Sequence, residues 1–345
     1  MPTQEPPFST ILLFGLPGTG TSWLGKILDS HPGTLYRNEP DSLSRLSPLP
    51  LVADADQGET FGDAIRSFNA ALPGIRETSV TGSLPVFPKD YLTPSRYRLQ
   101  KLAIWATKVP AFFLGTCAIP DFTGASEMPD LQVVWKSTSS VARIGLIGRS
   151  IPWSRGTLLV RHPCGFVASV LRANASRDFP TSAPALGASG NIEALLEVNS
   201  AKRKGLTLED FRNLSLVERL AWQWTLYYEK AMEDIEHLNG FDLLRYEDLC
   251  RYPFRTTRAI MDRYRMELSP QTVEFLNTSI LGRQADYYEV QKAASRHAFT
   301  WKGELSGDQI GRILAVTEGS PPMGLYEEAL PEEEPRALDR EVSET

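Results

Sequence analysis

The sequence is poor in residues that staple, ligate or anchor. Its 345 residues include three cysteines and four histidines. Cys117, Cys164 and Cys250 are scattered, without the paired spacing of a zinc site or the even, dense set of a secreted disulfide scaffold. A reducing, cytoplasmic setting without a metal is the expectation. Basic excess is also missing: 36 Lys and Arg face 42 Asp and Glu, a net charge of −6. Nucleic-acid binders carry a basic footprint, so that class is excluded, and any anionic ligand must be held by local cations. Residues 1–9 show no basic segment leading into an apolar run, which argues against a signal peptide. The apolar runs are strand-sized, so no membrane span is expected.

What is there is a core-forming pattern. Hydrophobic residues make up 42% of the chain, an ordinary share for a globular protein. Five short continuous runs predict buried parallel strands: Thr10–Phe14, Leu102–Thr107, Leu131–Trp135, Thr157–Val160 and Phe241–Leu244. Helical spacing places Trp23, Leu24, Ile27 and Leu28 on one face, and Phe166, Val167, Val170 and Leu171 on another. Leu216–Leu238 reads as a longer, aromatic-rich amphipathic helix. Strands alternating with helices imply an α/β class: one domain over residues 1–330 with a central parallel sheet flanked by helices. Segments 41–100 and 174–215 read as acceptor-facing insertions or lids, with one helical piece near Phe61–Leu72 and a long loop at 174–190. The acidic tail, 331–345, reads as disordered.

The residues that follow the strand runs carry the functional signal. A glycine-rich turn follows the first, Lys108 the second, Lys136 the third, Arg161 the fourth, and Arg245 with Tyr246 the fifth. Open α/β sheets bind ligands outside the carboxyl ends of their strands, so cations gathered there predict an anion site. The turn, GLPGTGTS at 15–22, lets backbone N–H groups face a phosphate while the next helix contributes its positive end. Gly15, Gly20 and Ser22 fit a Walker A loop, but Thr21 stands where that motif has its lysine.

Two stretches bear a family resemblance. PGTGTSWLGKILDSHP at 17–32, followed by YRNEP at 36–40, resembles the 5′-phosphosulfate-binding segment of sulfotransferases that use 3′-phosphoadenosine 5′-phosphosulfate (PAPS), of the carbohydrate and bacterial type. LLVRHPCGFVASVL at 158–171 resembles the 3′-phosphate element of that family, in which an arginine ends a strand and a serine follows eight residues later. RYEDL at 245–249, TKVP at 107–110 and TWKGELS at 300–306 resemble it more weakly.

The resemblance implies a P-loop-like sulfotransferase architecture and sulfuryl transfer from PAPS to an acceptor hydroxyl or amine. Adenosine 3′,5′-bisphosphate would be the product and no metal would be needed. It implies that Pro17, Gly18, Thr19, Gly20, Thr21, Ser22, Trp23, Arg161, Ser169, Tyr246 and Lys302 hold the nucleotide. Glu39 is the candidate base, with Asp41 as runner-up and His162 as a third choice. Gly18 occupies the position where the family carries Arg or Lys against the leaving oxygen, so Lys136 or Lys108 is expected to supply that charge. The acceptor, a small molecule or carbohydrate, and the oligomeric state are not readable. Two other classes stay open: a nucleotide-binding protein without turnover, and a P-loop kinase.

Overall fold

The computed structural model describes residues 6–42, 46, 49–114, 117–120, 122, 124, 131–176, 192–281 and 298–327. Its five strands are β1 (Ser9–Phe14), β2 (Thr34–Asn38), β3 (Gln132–Ser137), β4 (Arg155–Val160) and β5 (Phe241–Arg245). They form one sheet in the order β2-β3-β1-β4-β5, and every pairing is parallel.

Side-chain alternation sets the layering. In β1, Leu12 and Phe14 enter one hydrophobic cluster, whereas Ile11 and Leu13 enter another on the opposite face. β3 divides the same way, with Val133 and Trp135 on the first side and Val134 on the second. Both faces are therefore buried, which is why these strands read as unbroken apolar runs. Burying each such side chain contributes roughly 1.5–3 kcal/mol.

Helices α1 (Thr21–Ser30), α2 (Gly58–Ala71), α3 (Thr78–Thr81), α4 (Pro94–Leu114), α5 (Ile144–Ser150) and α6 (Pro163–Ser176) lie in the first half. The short α7 (Ile192–Leu196), α8 (Asn199–Lys204) and α9 (Leu208–Asn213) precede the long α10 (Leu216–Ile235). Then come α11 (Tyr246–Arg251), α12 (Pro253–Arg263), α13 (Pro270–Leu281) and three short C-terminal helices. α10 starts at a capping box in which Ser215 Oγ accepts the Glu218 N–H and Glu218 Oε2 accepts the Ser215 N–H at 2.9 Å. Residues of α1, α11, α12 and α13 cover one face of the sheet; residues of α2, α5, α6 and α10 cover the other.

The structure corrects one predicted strand. Leu102–Thr107 lies inside α4, so Lys108 is a helical residue and not a strand-end cation. A six-residue apolar run does not distinguish strand from buried helix by period alone. Here Pro94 opens the helix, Ile104 faces inward, and Leu99, Leu102 and Trp105 face outward at three-residue spacing. The strand that takes its place in the sheet is β2, whose last three residues are the first three of YRNEP. The other four runs coincide with β1, β3, β4 and β5 to within one or two residues. Segment 177–191 and the tail from 328 lie outside the described residues.

Candidate functional site

Because the sheet is parallel, the segments after β1, β2, β3, β4 and β5 gather at one edge. β1 and β4 are neighbours, so the glycine loop and Arg161 emerge side by side. Arg161 Nη1 donates to the Gly18 carbonyl oxygen at 2.8 Å. Two turns into α6, Ser169 faces the same residue: a Cβ on Gly18 would stand 2.7 Å from Ser169 Oγ and 3.1 Å from Ser169 Cβ. The two segments singled out in the sequence, joined by a bond that spans 143 residues, meet at Gly18.

The loop is shaped by its glycines. Gly18 and Gly20 have φ of 80° and 94°, in the left-handed region that other residues enter at a cost. Gly20 is the N-cap of α1 and offers no side-chain cap. Among the described residues, the N–H groups of Gly18, Gly20, Thr21 and Ser22 have no acceptor. Ser22 is exposed beside them, whereas Thr19 and Thr21 are buried. Thr19 Oγ1 donates to Leu16 O at 2.6 Å and holds the turn from within. From below, Tyr228 Oη accepts the Leu16 N–H at 3.3 Å and donates to Leu159 O at 2.8 Å. Such a nest of unpaired donors on a helix N-terminus suits an anion.

Tyr246 supports this loop. A Cβ on Gly20 would come within 2.3 Å of its ring, and the Arg161 guanidinium lies 4.8 Å from the ring centroid. Tyr246 is buried, so the ring serves as a platform beneath Gly20 and Arg161. Trp23 turns away into the core, where Nε1 donates to Ser279 Oγ at 3.3 Å. Pro17 is buried at the start of the turn.

A second cluster stands next to the loop, because Gly15 N–H donates to Ser137 O at 3.4 Å. β2 and β3 pair Asn38 with Lys136, so Glu39 follows directly opposite. Lys136 Nζ meets Glu39 Oε1 at 2.5 Å, and Glu39 also accepts from the Thr138 N–H at 2.9 Å and Thr138 Oγ1 at 2.8 Å. Lys136 is buried, while the Glu39 carboxylate keeps 20% of its surface exposed. Glu39 has φ of 48°, an unusual value for a residue with a side chain, and its N–H still bonds Lys136 O at 2.8 Å. The chain therefore accepts backbone strain of order 1–3 kcal/mol to aim this carboxylate at Lys136.

The other candidate bases have structural roles. The Asp41 carboxylate is fully buried and accepts from Trp135 Nε1 at 3.1 Å, Ser137 Oγ at 2.7 Å, Ser140 Oγ and Arg143 Nη2 at 3.3 Å. It ties the end of β3 to the turn before α5. His162 lies between Trp301, stacked with ring centroids 4.8 Å apart, and Tyr326, in a T-shaped arrangement with ring centroids 5.0 Å apart. Its Nδ1 accepts the Cys164 N–H at 3.2 Å. Burial, then the charges of Lys302 and Arg161, push the imidazole down to about 4, so it is neutral and weakly basic near pH 7.

Sequence reasoning missed two residues. Glu247, quoted within RYEDL but given no role, is buried and accepts the His162 N–H at 3.0 Å and the Tyr326 O–H at 3.1 Å. Burial raises its carboxyl above the usual range. It fixes the backbone next to Arg161. Thr138 was missed because its role depends on the β2–β3 register; its only signal is its place two residues after Lys136. Lys26 is buried against Asp29 and Ser83 O, away from the loop mouth. Lys302 is exposed on the helix Trp301–Glu304, whose Trp301 packs on His162. Between that helix and α6 opens a cleft of about 440 Å³, lined by Ala168, Leu171, Arg172, Glu304, Leu305 and Gln309.

No protein-family model and no curated protein matches the chain. Solved structures do. One is the sulfotransferase domain from the curacin biosynthetic pathway, 15% identical, covering 91% of this chain and 98% of that one with a TM-score of 0.46. Another is the sulfotransferase domain of the Synechococcus PCC 7002 olefin synthase, 14% identical over 93% and 98% with a TM-score of 0.43. A third is sulfotransferase STF9 from Mycobacterium avium, 14% identical over 91% and 76% with a TM-score of 0.40. Among the described residues the chain's own architecture is α/β, with one parallel five-stranded sheet between two layers of helices.

Proposed function

We propose that this protein is a sulfotransferase that moves a sulfuryl group from PAPS to an acceptor hydroxyl or amine and releases adenosine 3′,5′-bisphosphate. One observation carries the reading: the glycine loop and the Arg161–Ser169 pair converge on Gly18 at the carboxyl edge of the sheet. A nucleotide with phosphate at both 3′ and 5′ positions needs two anion sites a few ångströms apart. The N–H groups of Gly18, Gly20, Thr21 and Ser22 suit the 5′ end. Arg161, Ser169 and Lys302 suit the 3′ phosphate, since a guanidinium and a hydroxyl together satisfy a dianion. The cleft lined by Ala168, the residue before Ser169, has room for part of the nucleoside.

The bound nucleotide supplies a sulfuryl group on a phosphate leaving group. Glu39 accepts the proton of the acceptor as the new bond to sulfur forms. Neutralising Glu39 releases the charge of Lys136, its partner at 2.5 Å. That charge then meets the negative charge developing on the leaving oxygen, the task of the basic loop residue that Gly18 replaces. Thr138 and the loop N–H groups stay as fixed donors. A kinase is disfavoured, because Thr21 is buried and the loop brings no lysine to the phosphates.

Calorimetric titration tests the reading. Adenosine 3′,5′-bisphosphate is expected to bind more tightly than ATP with Mg²⁺. Arg161→Ala is expected to weaken it by about 10- to 100-fold, the worth of a charge-assisted contact of roughly 1.5–3 kcal/mol. Absence of bisphosphate binding would overturn the assignment. Binding without transfer from radiolabelled PAPS to any acceptor in a hydroxyl and amine panel would leave a nucleotide-binding protein without turnover.

A further inference from the structure

The outward face of α4 is unlike the rest of the surface. Leu99, Leu102 and Trp105 are 48%, 65% and 53% exposed, and among the described residues the only other large apolar side chain exposed to that degree is Phe299. They recur every three residues and form one stripe. The opposite face holds the helix in place: Ile104 is buried, and Tyr97 Oη donates to Val86 O at 3.1 Å. The stripe is therefore surplus to the core.

The charge around it is equally unusual. Arg96, Arg98 and Lys101 are exposed on the same helix. Residues 91–120 contain no Asp or Glu, although the chain holds 42 and has a net charge of −6. At 3.6 residues per turn, Arg98 falls between Leu102 and Trp105, while Lys101 and Arg96 flank the stripe.

We propose that this face of α4 seats on an anionic lipid surface. Interspersed charge selects this occupant. A protein partner would have to bury Arg98 among the apolar contacts, and protein interfaces deplete charge from their centres. A second copy of this chain would set three cations against three. The headgroup layer of an anionic bilayer accommodates both features: leucine and tryptophan enter the acyl boundary while arginine and lysine extend to the phosphates. No helix among the described residues is long and apolar enough to cross a membrane, so the contact is peripheral. The inference does not depend on the reaction proposed above.

Vesicle flotation of the full chain tests it. Recovery is expected with phosphatidylcholine vesicles containing phosphatidylglycerol, with little on pure phosphatidylcholine, and a marked drop at high salt. Leu99→Gln/Leu102→Gln/Trp105→Gln and Arg96→Gln/Arg98→Gln/Lys101→Gln should each lower partition at least about tenfold, since each removes one of the two contributions. Both sets change exposed positions, so circular dichroism and the thermal midpoint should stay near wild type and show that the variants are folded. Equal recovery on neutral and anionic vesicles, or undiminished binding by either variant, overturns the proposal. So does a failure to float accompanied by a concentration-dependent dimer that Leu99→Gln/Leu102→Gln/Trp105→Gln abolishes; the stripe would then belong to a second copy.

Discussion

Replacing Gly18 by alanine puts the loop geometry to a direct test. Two costs add. Gly18 has φ of 80°, and a residue with a Cβ in the left-handed region loses roughly 1–2 kcal/mol. The new Cβ would also stand 2.7 Å from Ser169 Oγ and 3.1 Å from Ser169 Cβ. The hydroxyl is the closer of the two contacts, and together they add about 1 kcal/mol of overpacking at the low end of its range. Urea unfolding should therefore show Gly18→Ala destabilised by about 2–3 kcal/mol. Ser169→Ala removes the hydroxyl alone, so in a double-mutant cycle the pair should be coupled by about 0.5–1 kcal/mol, in the sense that Ser169→Ala partly rescues Gly18→Ala. The same reasoning says that Gly18→Lys will not convert the loop into the basic form of the resembled family. It should unfold more easily and bind adenosine 3′,5′-bisphosphate more weakly than wild type. A Gly18→Ala protein within about 0.5 kcal/mol of wild type, with no coupling to Ser169, would refute the packing argument.

Three further outcomes are expected. Glu39→Gln should cut the turnover number by at least about 100-fold, a typical loss for a general base, while calorimetry finds bisphosphate affinity within a few-fold of wild type. Asp41→Asn should cost about 3–5 kcal/mol in urea unfolding, because Arg143 is left buried without its counter-charge. His162 is held at about 4, below its ordinary 6.5, so the unfolded chain binds the extra proton between those values. Stability should fall as pH drops from about 6.5 to about 4, by up to ~1.4 kcal/mol per pH unit, and His162→Gln should flatten that slope in pH-resolved unfolding curves.

Much of this was legible in the residues. β1, β3 and β4 are buried on both faces, so their side chains form apolar runs that a one-dimensional reading detects, and the part-buried edge strand β5 still carries Phe241, Leu243 and Leu244. β2 escaped because a buried arginine interrupts its apolar residues: Arg37 reaches the carbonyls of Leu72 and Pro73 at 2.8 and 2.6 Å. Leu102–Thr107 misled because Leu102 and Trp105 face outward from a helix while Ile104 alone is buried, a placement that no core-seeking pattern anticipates. The loop and the Arg161–Ser169 spacing were visible because their chemistry is local in sequence. The Glu39–Lys136 partnership was not, although both residues were singled out. It exists only once the register of two strands nearly a hundred residues apart is set. Asp41 was read as a possible base, and no local signal shows that four donors converge on it.

The adjacency of β2 and β3 has a further consequence. The chain between them leaves the sheet at Asn38 and returns to the neighbouring ladder at Gln132, as an excursion anchored at both ends by backbone pairing. Lengthening such an excursion changes closure entropy only logarithmically. Its surface pieces can therefore change in length, provided that α2, which covers the sheet, and the Leu72 and Pro73 carbonyls that hold Arg37 stay in place and keep Glu39 and Lys136 in register. The length of the excursion and the meeting of Glu39 with Lys136 are thus separable properties of the chain.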